Sequence, residues 1–558
     1  MERTTGRQVV SGALMLGAAA VLSKIIGTLQ KIPLQNIGGD GVFGIYNAVY
    51  PFYVLLMVIA SAGIPVTVAR LVAECEAAGD GQGSARVLYA SCLLMSFTGV
   101  IGFLGLTWGA ETVASWIGNH HTVPAIRSSA YALLVMPLAA ALRGYDQGRG
   151  RMESTAVSQV AEQTGRVAVM IALLLYYVSR EAPEETIAAG ATFGSFAGGV
   201  CGLAAMACFR WREHRSAARE ARAVSVPTSP KDARLPGSAR GDLSAPPASP
   251  TTGAWMRRLA WTALPICLGA IVMPAVNVVD VFTVPRLLAR HGLGEAGALA
   301  EFGVYSRAFP LVQLVTMVAS SLAVGLVPAV AAAARRDASQ LRELLASSLR
   351  WTWLIGWAAA AGLIALAEPI NVALYTDAAG MTAFVWIAST AVSGVLQAVT
   401  AALLQGMGAV RAPALILLFA AGVKAALNLW LVPAYGIAGA AISASASLAL
   451  AAALNAAALS RASGLSFAAW GARTARLALA LAVMAAAARL GALAPAVLGL
   501  GGRTGALLAV AGGVPLGALI FAGLGLRLGL VRPQELAALP RIGPALARIA
   551  AKIAPRNR

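Results

Sequence analysis

Charged side chains are scarce in this chain: Asp, Glu, Lys and Arg make up 12% of the 558 residues, against 58% that are hydrophobic. A water-soluble globule of that composition could not cover its surface with polar groups, so a soluble fold is excluded and the solvent must be lipid. Acids are scarcer than bases, 24 against 43, for a net charge of +19. The five cysteines, Cys75, Cys92, Cys201, Cys208 and Cys267, lack metal-ligand spacing and read as small apolar packing residues. A Walker-type glycine loop, HExxH and CxxC are all missing, which excludes the nucleotide and metal chemistry those motifs support. His120 and His121 read as a solvated pair in a short outer loop rather than a metal site. No catalytic residues, no metal site and no resident cofactor are expected.

What is abundant is apolar sequence in stretches of about twenty residues, each long enough to cross a hydrocarbon core of roughly 30 Å as a helix. The pattern predicts an all-α integral membrane protein of about fourteen transmembrane helices. They are placed near 9–32, 44–69, 87–108, 124–142, 156–178, 186–209, 259–284, 302–331, 351–367, 382–406, 412–432, 437–460, 474–491 and 505–526. The first is read as a retained helix, because Lys24 interrupts it and no small-residue cleavage site follows. With the N-terminus inside, most Lys and Arg fall in cytoplasmic segments, while the outer connections carry Glu111, Glu181, Glu184, Glu185, Glu368 and Asp377. This is the positive-inside pattern, so the basic excess is a topology signal, no nucleic-acid partner is expected, and both termini are placed in the cytoplasm.

The apolar pattern stops between 210 and 258, a stretch rich in Arg, Ser and Pro that reads as a flexible cytoplasmic linker able to rest on anionic membrane lipids. It separates two similar halves. Gly44, Tyr46, Pro51, Leu55, Ala60 and Ser61 match Gly303, Tyr305, Pro310, Leu314, Ala319 and Ser320 at a constant offset of 259. Gln147, Gly148 and Gly150 match Gln405, Gly406 and Gly408 at an offset of 258, which sets Arg166 opposite Lys424. The predicted organisation is an N-lobe of six helices (1–209), the linker (210–258), a pseudo-symmetric C-lobe of six helices (259–460), two further helices (461–526) and a basic cytoplasmic tail (527–558). Repeats of this kind place a transported molecule between the halves near the midplane.

An ionisable group inside a span costs at least about 2.5–3.5 kcal/mol and normally faces a cavity or a partner. Six stand out. Glu162 and Arg166 are spaced i and i+4 and read as a structural pair. Asp280 and Lys424 fall at similar outer depths and are expected to form an ion pair joining the two halves. Lys24 and Arg307 remain, on the order of 12 Å from the outer ends of their helices at 1.5 Å per residue, with no acid left to neutralise them. Either they snorkel to the interface, or they line a cationic cavity for a phosphate or pyrophosphate, for which the planar Arg fork is suited. The second reading is preferred. Pro33, Pro51, Pro65, Pro265, Pro274, Pro285 and Pro310 lie in or at the ends of two helices of each half, a placement that suits bending elements.

The stretches LSKIIGTLQKIPLQNIGGDGVFGIYNAVYP, ASAGIPVTVARLVAE, RGYDQGRGRMESTAVSQVAEQ, PAVNVVDVFTVPRL and LLQGMGAVRAPALILLFAAGVKAALNLWLVPAYGIAGAAIS resemble the stage V sporulation protein B branch of the polysaccharide transporters. That branch belongs to the superfamily of the MurJ-type lipid II flippases, the O-antigen flippases and the multidrug and toxin extruders (the MOP, or MATE-like, superfamily). The resemblance implies a monomeric flippase in a bacterial plasma membrane, moving a lipid-linked oligosaccharide through a cationic cavity by alternating access. It implies a substrate-binding set of Lys24, Lys31 and Arg307. The further Arg that such relatives carry near the start of the second helix has no counterpart in GVFGIYNAVYP. The last two helices form a lipid-tail groove in the flippases and are absent from twelve-helix drug extruders.

The resemblance also implies an ion-coupling site in which Asp280 and Asn428 take part, with Lys424 projecting into it as a tethered ammonium; sodium and proton coupling both stay open. A drug or cation antiporter of the same fold is the main rival, and would want an unpaired acid in the N-lobe, where Glu162 is the sole candidate. A membrane glycosyltransferase would need acidic motifs and large outer loops, whereas the first outer loop offers only Asp40.

Overall fold

The computed structural model describes residues 2–61, 63–224, 251–465 and 471–531, and every regular element among the described residues is helical. Lipid enforces this outcome, because a backbone N–H or C=O in hydrocarbon must find its partner within its own segment. The first half contains α1 (Glu2–Leu29), α2 (Lys31–Ser61), α3 (Ile64–Ala77), α4 (Gly81–Trp108), α5 (Ala110–Ile117), α6 (Val123–Ala130), α7 (Ala132–Gly148), α8 (Met152–Ser179) and α9 (Glu184–Val224). The second contains α10 (Thr252–Leu288), α11 (Gly294–Ser306), α12 (Phe309–Arg336), α13 (Ala338–Ala365), α14 (Ala367–Tyr375), α15 (Met381–Gly406), α16 (Arg411–Ser463), α17 (Gly471–Val497) and α18 (Gly502–Arg527).

Among the described residues nine helical stretches are long and apolar enough to cross a membrane, or ten if α13 and α14, bent by 70° at Leu366, count as one. Three of them run for 53, 64 and 85 residues. Each is far longer than the roughly 20 residues that one crossing needs. The chain is therefore a multi-pass membrane protein. The 53-residue stretch is α16, broken at Gly436, whose φ of 57° and ψ of −137° lie outside the helical region.

The expected prolines divide between helix starts and helix interiors, Pro265, Pro274 and Pro285 lying inside α10. Pro65 and Pro310 occupy the first turns of α3 and α12, where no intrahelical N–H bond is lost. Pro51 lies inside α2. The helical part of the expected linker is longer than the sequence suggested. α9 continues to Val224 and α10 begins at Thr252, because RWREHRSAAREARAV is rich in good helix formers and stacks the Arg215 guanidinium 3.8 Å from the centre of the Trp211 ring one turn back. Residues 225–250 and the tail from 532 lie outside the described residues.

The internal repeat reappears in the packing. A Cβ on Gly148 would stand 2.5 Å from the Ala69 carbonyl oxygen and 2.7 Å from Cβ of Val72, while one on Gly406 would stand 2.9 Å from the Val327 oxygen and 2.9 Å from Cβ of Val330. The partners obey the same offset of 258 as the glycines. Turn chemistry repeats as well. Gly118 and Thr376 are both left-handed C-caps, and the next residues, Asn119 and Asp377, accept through Oδ1 from the N–H of His121 (3.1 Å) and Ala379 (2.7 Å).

Two compact units emerge, one of residues 1–30 with 48–278 and the other of residues 31–47 with 279–558. The division differs from the expected lobes at two places: 31–47 groups with the second half, and 259–278 with the first. In the second unit α17 and α18 pack through small residues, with Cβ positions on Gly513 and Gly517 within 2.7 and 3.1 Å of Ala488.

Candidate functional site

The local path of α2 decides the most polar site in the second unit. Lys31 and Asn47 are 16 residues apart, about 24 Å along a straight helix, yet Lys31 Nζ donates to Asn47 Oδ1 at 3.3 Å. The chain doubles back at Gly39, whose φ of 82° and ψ of 176° glycine tolerates without a Cβ clash. The return limb then meets α11 at closest approach. A Cβ on Gly44 would lie 1.8 Å from the Leu299 oxygen, and one on Gly303 would lie 2.1 Å from the Asp40 oxygen. Gly44 and Gly303 are repeat equivalents, and so are Asp40 and Leu299, so each glycine admits the carbonyl that its counterpart's segment supplies.

This contact brings Asp40 to Arg307. The helix expected over 302–331 is interrupted at Arg307 and Ala308, because Pro310 has no N–H to bond the Ser306 carbonyl. The Arg307 side chain is 1% exposed. Nε and Nη2 donate to Asp40 Oδ1 and Oδ2 at 3.1 and 2.6 Å, and Nη1 and Nη2 donate to Asp377 Oδ1 and Oδ2 at 2.6 and 3.1 Å. Both edges of the guanidinium are thus held in bidentate forks. Tyr375 closes the site, its hydroxyl donating to the Arg307 carbonyl at 2.7 Å and its ring centre 5.5 Å from the guanidinium carbon. Gln35 Nε2 donates to Asp40 Oδ1 at 3.2 Å. The expectation that no acid remains for Arg307 is therefore corrected. Asp40 and Asp377 read as loop residues because GGDG and TDAAG have turn composition, and neither stretch reveals that its backbone folds onto Arg307.

Asp377 lies in the connection after α14, and the fork from Arg307 holds its carboxyl below the usual carboxylate range, with the Ala379 N–H helping and partial burial opposing. A depressed folded pKa gives a contribution that is complete above the unfolded value, about 3.9, and is lost as pH falls through the folded value. Thermal stability of the detergent-solubilised chain is expected to fall as pH drops below about 4, with the fall shallower in Asp377→Asn. Identical acid limbs in the two proteins would show that this fork does not contribute.

A second cluster also lies wholly in the second unit. Asp280 Oδ2 accepts from Lys424 Nζ at 2.6 Å and from the Tyr305 hydroxyl at 2.7 Å. Asn428 Nδ2 donates to Asp280 Oδ1 at 3.2 Å and to Thr283 Oγ1 at 2.8 Å. All five side chains are buried or partly so. The expected union of the two halves by this pair is corrected, because residues 279–288 of α10 belong to the same unit as α16.

In the first unit Glu162 Oε1 accepts from Arg166 Nη2 at 3.1 Å and Oε2 from Arg143 Nη2 at 2.7 Å. Ser158 Oγ accepts from Arg143 Nε at 3.0 Å and donates to the Gly202 carbonyl at 2.8 Å. Sequence reading missed Arg143, which sits at the end of the apolar run of α7; its signal was the second lone pair of a buried carboxylate that one Arg leaves unmet. Lys24 is exposed on α1 and has no acidic partner among the described residues. The three expected substrate ligands divide between the units, Lys24 in the first, Lys31 and Arg307 in the second. His121 Nδ1 lies 3.0 Å from Glu185 at an exposed site, and the described residues contain no group of three metal-ligating side chains.

A cavity of about 1090 Å³ opens among α13, α15, α16 and α17, lined by Trp353, Trp357, Leu396 and Leu481 with many alanines and with Arg489. Its wall is mostly apolar, with Ser389, Ser393 and Ser445 as further polar members.

Residues 9–334 match the polysaccharide biosynthesis protein family. The uncharacterized membrane protein YabM of Bacillus subtilis (strain 168) is 32% identical over 447 residues, 80% of this chain and 78% of that one. From the same organism, stage V sporulation protein B is 26% identical, covering 81% and 83% of the two chains, and the lipid II flippase MurJ is 24% identical, covering 76% and 77%. Among solved structures, a lipid II flippase MurJ in an inward closed conformation aligns with a TM-score of 0.60 at 11% identity, over 92% of this chain and 99% of that one. An inward-facing multidrug resistance MATE family transporter of the MOP superfamily aligns with a TM-score of 0.58 at 15% identity, over 79% and 95%. The fold is that of the MOP superfamily.

Proposed function

We propose a function from one premise, that this chain belongs to the polysaccharide biosynthesis protein family: it is a flippase that moves an undecaprenyl-phosphate- or pyrophosphate-linked saccharide across the bacterial plasma membrane by alternating access. At the coarser level it is a membrane transporter and not an enzyme, in keeping with the flippase and transporter relatives.

The observation that carries the lipid-linked substrate is the apolar cavity walled by α17. At about 1090 Å³ it matches the upper end of sites that enclose drug-sized ligands, roughly 300–1,000 Å³. Its mostly apolar lining, with Ser389, Ser393, Ser445 and Arg489 as the polar exceptions and no acid, suits a hydrocarbon chain rather than a cationic drug. Lys24, Lys31 and Arg307 are assigned to the anionic headgroup. The antiporter reading loses its main support, since Glu162, the acid it would use, is bonded to both Arg143 and Arg166. Asp280, Lys424 and Asn428 are assigned to coupling, with the ammonium already seated on the carboxylate.

The test is transport of an undecaprenyl-pyrophosphate sugar in proteoliposomes, beside a panel of lipophilic cations. Ala453→Trp and Ala485→Trp both fill the cavity, and each is expected to cut lipid-linked transport about tenfold or more, as loss of roughly 1.4 kcal/mol of tail burial would. Parental rates in both variants would remove the cavity from the mechanism. Transport of the cations without the lipid-linked sugar would replace the flippase with an extruder.

A further inference from the structure

Arg307 and its two acids meet once, within the second unit. Their scaffold is duplicated, since Gly44 matches Gly303 and the turn at Asn119 matches that at Asp377, but the repeat counterpart of Arg307 is Ala48 and that of Asp40 is Leu299. The first half builds the same turn with Asn119 in place of Asp377, so the turn itself does not require the triad.

The two acids are unequally held. The Asp40 side chain is 24% exposed and the Asp377 side chain 48%, while the arginine between them is 1% exposed. Of the two sides of the guanidinium, the one that Asp377 covers is therefore the nearer to solvent. Asp377 takes the Nη1–Nη2 edge and Asp40 the Nε–Nη2 edge, so one can leave while the other stays. Asp377 follows Thr376, a β-branched residue with φ of 74°, which the native turn must hold in a costly conformation.

We propose that Asp377 is a displaceable lid on Arg307: a diphosphate takes the place of its carboxylate on the Nη1–Nη2 edge, leaves Asp40 on the other, and frees the turn at 376–380. The step rests on Arg307 being a diphosphate ligand. It makes Asp377 a specificity-determining residue, because a neutral or cationic headgroup cannot displace a carboxylate from an arginine, whereas a diphosphate offers the same pair of oxygens with more charge. Asp40 keeps the arginine oriented throughout the exchange.

The experiment measures binding of inorganic pyrophosphate to the purified full chain in nanodiscs, with hydrogen exchange of residues 376–380 as the second readout. Farnesyl pyrophosphate in a second arm separates a lipid-borne diphosphate from a free one; a response to either supports the lid. Asp377→Asn retains an Oδ1 for the Ala379 N–H, as Asn119 does for His121, but loses the charge that anchors the turn to Arg307. It is expected to bind pyrophosphate on the order of tenfold or more tighter than the parent, because a competing charged hydrogen-bond pair is gone. In the parent, pyrophosphate should speed exchange at 376–380, and in Asp377→Asn exchange should be fast without it. Arg307→Lys, which retains the charge but not the planar fork, should weaken binding in protein whose unfolding midpoint shows that it is folded. If Arg307→Lys weakens binding but Asp377→Asn binds as the parent does and exchange is unmoved, the lid is overturned and the diphosphate reading survives. If no variant binds either diphosphate, or binding ignores Arg307→Lys, both are overturned.

Discussion

Asp280→Asn and Lys424→Met are each expected to destabilise the chain by about 3–5 kcal/mol, the cost of stranding one member of a buried ion pair, while the double variant loses far less than the sum. The pair is short, at 2.6 Å, and buried on both sides. Lys424→Met leaves the carboxylate with only Tyr305 and Asn428 as donors. Asp280→Asn leaves an ammonium in a span with no counter-charge among its named partners. Replacing both removes both desolvation penalties and leaves groups of similar volume in place. Thermal or denaturant unfolding in detergent, run as a double-mutant cycle, measures the coupling. Additive losses would mean that the two side chains do not act as a unit, and with that the tethered-ammonium account of coupling would fall. Tyr305→Phe probes the same carboxylate and should cost less, on the order of 1–3 kcal/mol for one hydrogen bond to a charged group.

How much of this could be read from residues alone depends on whether the relevant contact is local. The helical class, the repeat and the Glu162 contact of Arg166 follow from periodicity and from i, i+4 spacing, and depth alone suggested that Asp280 and Lys424 share a level. Arg143 required knowing that α7 lies beside α8. Asp40 was harder still, since the sequence LQNIGGDGVFG has loop composition, yet residues 31–38 and 40–61 are both helical and Gly39 only reverses their direction. That reversal is also what groups 31–47 with the second half. The extension of α9 to Val224 is hidden by the basic, polar character that the segment shares with linkers, although its Ala, Arg and Glu content favours helix wherever one is already nucleated.

The second large effect concerns the crossing that places Asp40. Gly44→Ala would set a methyl 1.8 Å from the Leu299 oxygen, and Gly303→Ala would set one 2.1 Å from the Asp40 oxygen. Neither obstacle is a side chain that can rotate away. The segments themselves must separate, at a cost near or above the upper end of overpacking, about 3 kcal/mol. Separation also draws the Asp40 carboxylate from the Arg307 fork, so each substitution should expose the guanidinium's deeper edge as well as lower the unfolding midpoint. Gly39→Ala provides the contrast. Nothing lies within 4 Å of a Cβ at that position, and the penalty is confined to its backbone, whose φ of 82° and ψ of 176° fall in a region essentially reserved for glycine, at about 1–3 kcal/mol for another residue. The expected order of midpoints is therefore parent, then Gly39→Ala, then Gly303→Ala and Gly44→Ala together at the bottom. Should Gly44→Ala unfold with the parent or with Gly39→Ala, the two helices do not touch backbone to backbone. Asp40 would then need another means of reaching Arg307.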